Sequence, residues 1–197
     1  MATKGGPRIT RQALLEGAYA LLDAGELSDL TVDALARHMQ MSKSTLYKYY
    51  VGKDEVVNEL ISGVCETTSD ELAALSHPAD PVEALHDLFE VVADYAERLP
   101  RAAILQPDKL PTVARLRLES MRALISEMIA ERVEIGCGTG AFTFRWPVVA
   151  STTLACAVFT IMEAVARVEE DRSAGVFEVL NLVLPGLQRA LDGGAEA

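Results

Sequence analysis

Residues 31–57 read TVDALARHMQMSKSTLYKYYVGKDEVV, and the rest of the chain is understood by working outward from them. Thr31 has the side chain of a helix N-cap, and Val32, Leu35, Ala36 and Met39 follow it at the spacing of an inward-facing stripe. A short helix is predicted to start after Ser42, and another near Lys53–Asp54 that buries Val56, Val57, Leu60, Ile61 and Val64. Two short helices joined by about four residues, the second polar and basic, form a helix-turn-helix. In that geometry the second helix enters the major groove with its N-terminal residues at base edges, while the first crosses the backbone.

The side chains of the second helix fit this task. Ser42, Ser44 and Thr45 are short hydroxyls that allow close approach and bond either bases or phosphates. Lys43 and Lys48 supply phosphate attraction. Tyr47 and Tyr49 stand two apart and so point to different sides, one toward a DNA backbone and one toward the protein. Lys53 sits at the start of the next helix, where unpaired N–H groups favour a phosphate.

Charge is distributed to match. The chain carries a net charge of −11, yet residues 1–65 hold seven Lys/Arg against eight Asp/Glu, whereas 66–197 hold eleven against twenty-one. No acidic residue lies between Asp33 and Asp54, while Arg37, Lys43, Lys48 and Lys53 do. An acid-free window in so acidic a chain is where an anionic partner approaches without repulsion.

With Gly25, Thr31, Leu35-Ala36, the run Ser42-Lys43-Ser44-Thr45-Leu46-Tyr47-Lys48-Tyr49-Tyr50, and Lys53-Asp54-Glu55, residues 9–64 closely resemble the DNA-binding domain of the TetR family of bacterial regulators. The resemblance implies that Thr31 touches phosphate and that Lys43, Ser44, Thr45 and Lys48 meet bases or their phosphates. It also implies that Tyr47, Tyr49 and Lys53 meet the backbone, and it aligns Tyr50 with a buried aromatic. Two positions depart from the family pattern. Gln40 stands where the turn usually has Gly, which tolerates a positive φ without strain, and Met41 stands where Val is usual. The resemblance further implies a helical regulatory domain that dimerises through its last two helices and encloses a small-molecule pocket, most often in a repressor.

Elsewhere helical periodicity dominates and strand alternation is nearly missing, so the expected fold is all-α. Leu14, Ala18, Leu21 and Leu22 form a stripe between a Thr10 cap and a Gly25 stop. The segment Ser76-His77-Pro78-Ala79-Asp80-Pro81 reads as a linker, and Pro81 suits a first helical position. Val82, Leu85, Phe89, Val92, Ala96 and Leu99 then make one amphipathic face, stopped by Pro100. After the Gln106-Pro107 break, a long helix is predicted from Pro111 to about Ile135, ended by Gly136, Gly138 and Gly140, followed by a loop through Phe144. Pro147–Arg167 and Gly175–Leu191 are the last helices. The expected division is 1–52 for DNA binding and 53–197 for regulation and dimerisation.

In the last pair, Val148, Val149, Leu154, Ala155, Val158, Ile161, Met162 and Val165 surround their helix, which must be covered on several sides. Leu180, Val183, Leu184, Leu187 and Leu191 offer the partner face of a two-fold homodimer. Phe89, Met121, Met128, Phe144, Trp146, Phe159 and Met162 are the candidates to wall a ligand cavity, since methionine and aromatic walls adapt to apolar ligands, although such residues also serve as plain core. Glu163 either meets a cationic ligand or pairs with Arg167 at i+4.

Other chemistries find little support. Gly136-x-Gly138-x-Gly140 follows a helix, whereas a nucleotide loop follows a strand. His38, His77 and His86 lack metal spacing, and no nucleophile–base or paired-carboxylate set stands out, so neither an enzyme nor a cofactor is expected. A purely protein-binding helical module accounts for the dimer face but not for the hydroxyl-rich third helix. Cys65, Cys137 and Cys156 are too scattered for disulfides and fit a reducing cytoplasm, with Cys156 read as a buried, inert thiol. The apolar stretch from Pro147 to Met162 is shorter than the roughly 20 residues of a membrane span. The combined expectation is a cytoplasmic homodimer that binds a double-stranded DNA operator and is released by an unknown small molecule.

Overall fold

The computed structural model describes residues 10–75, 80–168 and 171–180. Helices run in the order α1 (Arg11–Ala24), α2 (Val32–His38), α3 (Lys43–Leu46), α4 (Lys53–Ala74), α5 (Pro81–Arg98), α6 (Arg101–Leu105), α7 (Thr112–Thr139) and α8 (Pro147–Val168), followed by α9 over 172–180. No strand occurs among the described residues, in agreement with the all-α expectation.

Capping explains where several helices begin. Thr10, Thr31 and Ser42 accept hydrogen bonds from the N–H groups of Ala13, Ala34 and Thr45, and Asp80 from that of Val82. Each satisfies one of the four donors that a helix N-terminus leaves unpaired. Pro81 occupies the first turn of α5, where its missing N–H costs nothing.

Apolar faces then assemble one continuous core from Leu14 to Leu180. α1 packs on α2, α4 and α6, and the long α7 lies against α4, α5 and α8. α4 is shared: Glu59 near its start holds Arg11 of α1, while Asn58 accepts from the Ala114 N–H of α7 at 3.0 Å. Farther along, burial pushes up the pKa of the Cys65 thiol and of the Tyr95 hydroxyl on α5. One unbroken rod therefore connects the N-terminal helices to the larger body.

The structure corrects several expectations. α7 continues through Gly136 and Gly138 and ends at Gly140, whose φ of 78° is left-handed. Gly136 is needed inside the helix, because a Cβ there would lie 2.1 Å from the Phe142 ring, which folds back over it. Cys156 is exposed, because α8 buries only one side of itself within the chain. Glu163 forms no ion pair with Arg167 and borders a cavity instead. α8 extends to Val168, and by length and composition it is apolar enough to cross a membrane, with 39% of its most apolar window buried. Residues 76–79 of the expected linker, and Val183, Leu184, Leu187 and Leu191 of the expected partner face, lie outside the described residues.

Candidate nucleic-acid interface

The turn between α2 and α3 is built on hydrogen bonds at the α2 C-terminus. The Gln40 N–H donates to the Arg37 carbonyl at 3.1 Å and the Met41 N–H to the Ala36 carbonyl at 2.9 Å, the paired closure of a Schellman motif. That motif needs a left-handed residue, and Gln40 supplies it at φ 52°, the sole positive φ of a non-glycine among the described residues. The departure at residue 40 thus keeps the turn geometry and carries the strain in its place.

α3 projects outward from this turn, anchored by buried Leu46. Ser42, Lys43 and Ser44 are exposed and Thr45 is half-buried. The Ser42 hydroxyl lies 2.8 Å from that of Ser44 and 2.9 Å from that of Thr45, so three hydroxyls cluster at the helix start. Lys43 is engaged in an ion pair with Asp33 on the first turn of α2. In space, therefore, the acid-free window has an acidic border.

The tyrosines divide as their spacing predicts. Tyr47 is 55% exposed, whereas Tyr49 is half-buried and packs against the core. Tyr50 is buried, with the Arg11 guanidinium 4.7 Å from its ring centroid, and burial pushes its phenol up to about 12. Arg11 in turn donates to both Glu59 oxygens and holds that carboxyl below its usual range. This clamp fixes α1 to α4 behind the exposed face. Lys48, Lys53 and the α2 cap Thr31 are exposed, and the N-terminus of α4 has no side-chain cap. Thr31, Ser42, Lys43, Ser44, Tyr47, Lys48 and Lys53 are thus all exposed and Thr45 is half-buried, a mixture of hydroxyls and cations of the kind that bonds phosphate.

A second feature lies in the larger body, where a cavity of about 410 Å³ opens between α5, α6, α7 and α8. Tyr95, Leu99, Ala103, Ile104, Leu118, Phe159 and Met162 give it apolar walls, and Asp108, Arg115, Glu119, Arg122 and Glu163 a charged edge. The Arg122 guanidinium stands 4.3 Å over the Phe159 ring. Of the seven residues expected to wall a cavity, Phe159 and Met162 do. Phe89 and Met121 are buried core, and Met128 packs beside it. Phe144 leans on Phe142 at 5.8 Å, and Trp146 is 64% exposed. The sequence reading missed Arg115, Leu118 and Arg122, whose 3–4-residue spacing along α7 already placed them on one face.

Residues 14–60 match the signature described as "Bacterial regulatory proteins, tetR family". Among solved structures, the chain is similar to the TetR family transcriptional regulator PfmR from Thermus thermophilus, with 24% identity, a TM-score of 0.69, and coverage of 92% of this chain and 97% of that one. A bacterial regulatory protein in the tetR family from Rhodococcus is similar at 14% identity and a TM-score of 0.71, covering 90% and 96%. The transcriptional regulator FadR from Bacillus subtilis, solved in complex with stearoyl-CoA, is similar at 12% identity and a TM-score of 0.65, covering 90% and 99%. No curated protein matches the chain in sequence.

Proposed function

We propose that this chain, whose residues 14–60 match the tetR family signature and whose fold is shared along nearly its whole length with solved regulators, is a homodimeric, cytoplasmic repressor that leaves its double-stranded DNA operator when a small molecule binds. The observation that carries this reading is the exposed Ser42–Lys48 face, presented by a turn that retains its left-handed closure at Gln40. Around it Ser42, Lys43, Ser44, Thr45 and Lys48 meet bases or their phosphates, and Thr31, Tyr47 and Lys53 meet the backbone, while Tyr49, packed against the core, holds the helix behind them.

Dimerisation is supported by α8. Val148 is 78% exposed and Val149 58% exposed, on an apolar helix that the single chain covers on one side only. A second copy covers such a surface and sets two recognition helices about 34–36 Å apart, the spacing of successive major-groove half-sites. The apolar walls of the cavity support an amphipathic or apolar effector, and the FadR relative with its bound stearoyl-CoA is a precedent for such a ligand in this fold. No catalytic role is assigned to the chain.

The test is fluorescence anisotropy on operators selected from random-sequence DNA, comparing the wild type with a Thr45→Ala, Tyr47→Ala, Lys48→Ala variant. The expected result is salt-sensitive wild-type binding and a folded variant weakened by about 100-fold or more, with a salt slope shallower by about one unit for the lost lysine. Undiminished binding by the folded variant would move the interface elsewhere.

A further inference from the structure

Arg172 heads the largest fully buried side chains among the described residues, and DNA binding makes no direct use of it. It lies at the start of α9, with its side chain 2% exposed. Each guanidinium nitrogen is directed at its own acceptors. Nε donates to the Ala96 carbonyl at 3.1 Å, and Nη2 reaches the Glu97 and Leu99 carbonyls at 2.8 and 3.0 Å and the Tyr19 hydroxyl at 2.8 Å. Nη1 forms an ion pair with Asp23 at 2.9 Å. A buried cation persists only where it is paired and its donors are satisfied, and here both conditions are met.

Three helices meet at this group, α9 through Arg172 itself, α1 through Tyr19 and Asp23, and α5 through Ala96 and Glu97 at its end. The Glu97 carboxylate also accepts the main-chain N–H groups of Arg172 and Ser173 at 2.8 and 3.2 Å, so α5 caps α9. Asp23 accepts a second bond from the Arg101 N–H that opens α6, at 3.0 Å, and the Arg101 side chain donates to the Ala166 carbonyl of α8 at 2.8 Å.

The N-terminal unit is therefore held by α4, which runs on unbroken into the larger body, and at the far end of α1, gripped by Arg172 and by the α6 N-terminus. An exposed Glu26–Lys109 pair at 3.9 Å lies just beyond that end and is too weakly held to orient it. A body held by one rod rotates about it, and a second attachment removes that freedom. We propose that the Arg172–Asp23 clamp is the positioning device that fixes the tilt of the α1–α3 unit about α4. Its main-chain acceptors, at Ala96, Glu97 and Leu99, lie within about a turn of Tyr95 and Ala103, and Leu99 itself walls the cavity. The consequence for operator release rests on the function proposed above, whereas the mechanical role does not.

The test measures that tilt in the full-length chain. Spin labels are placed at Lys48→Cys and Glu127→Cys in a Cys137→Ser, Cys156→Ser background, diluted with unlabelled chain, and their distance distribution is read by pulsed dipolar spectroscopy. Asp23→Asn keeps the acceptor but removes the charge, and Tyr19→Phe removes a single partner. The expected outcome is a narrow distribution in the parent, broadened about twofold or more by Asp23→Asn and less by Tyr19→Phe. Distributions as narrow as the parent's in both variants would overturn the proposal, even with a lowered melting temperature, since the clamp would then stabilise without orienting. If Asp23→Asn fails to fold, Tyr19→Phe decides alone. Failure of the wild-type chain, which keeps Lys48, to bind any DNA would count against the function above and leave the distance result intact.

Discussion

Lys43, at the first position of α3, is ion-paired with Asp33 on the first turn of α2, so a cation of the recognition face is already occupied before any partner arrives. The pair is exposed on both sides and therefore weak and salt-screened. It fastens α3 to α2 and at the same time competes with phosphate for the same ammonium group.

Replacing the competitor shifts that balance. Asp33→Asn is expected to tighten operator binding about two- to tenfold at low salt, by releasing Lys43 and removing a negative charge from the interface. Anisotropy titrations of the two proteins on one DNA check this. Weaker binding would show that the pair orients α3 more than it restrains Lys43.

Gln40 carries the left-handed turn without the freedom of glycine. The left-handed conformation costs a non-glycine residue about 1–2 kcal/mol, and the greater unfolded-state entropy of glycine returns about half of that. Gln40→Gly is therefore expected to stabilise the chain by about 0.5–1 kcal/mol, measured as a higher midpoint in urea at an unchanged slope. A lowered midpoint would mean that Gln40 makes compensating contacts through its side chain.

The uncovered part of α8 predicts an assembly defect. Val148→Glu with Val149→Glu is expected to leave helix content unchanged while converting dimer to monomer, read by light scattering during size exclusion. Burying each valine contributes about 1.5–3 kcal/mol at most, and a carboxylate at a dry interface adds a desolvation cost. A variant that stays dimeric would place the interface on another face.

Acid should unfold the protein through two tethered carboxyls. Arg11 holds Glu59, and Arg98 holds Glu71, below the ordinary value of 4.5. The unfolded chain then binds more protons than the native one, so the contribution is fully present above 4.5 and lost as pH falls through the lower native values. Melting temperature should hold down to about pH 4.5 and fall below it, and Glu59→Gln with Glu71→Gln should flatten that decline. On the alkaline side the sign reverses: Tyr50 is raised from 10.0 to about 12, so stability is lost as pH climbs through that interval.

Features set by neighbours along the chain were legible in the sequence. The caps at Thr10, Thr31, Ser42 and Asp80 need only the next few residues, and the apolar stripes of α1, α2, α4 and α5 need only the helical repeat. Features set by distant partners were not. Gly136 and Gly138 look like helix stops until Phe142 is seen folded onto Gly136. Cys156 sits in an apolar run, but which side of that helix is covered depends on α6 and α7. Arg172 is one more surface arginine by composition, and its acceptors lie 73 to 153 residues away. The hydroxyl, lysine and tyrosine pattern of α3 was readable because its chemistry is local, whereas the cavity draws its walls from four helices.

The hydroxyls of Ser42, Ser44 and Thr45 share two hydrogen bonds among three O–H groups, both through Ser42. One O–H donor is left over for a base or a phosphate, and engaging either of the others exchanges an existing bond for a new one. A mismatched base lets the bonds within the cluster stand, so the penalty of about 1–3 kcal/mol for a stranded polar group falls on at most one hydroxyl. Selectivity at these positions must then come mostly from fit: from the width of the groove, the ease with which a given step bends, and the thymine methyl groups that a small side chain tolerates. Such a reader forgives single base changes and is strict about the shape of the helix it grips.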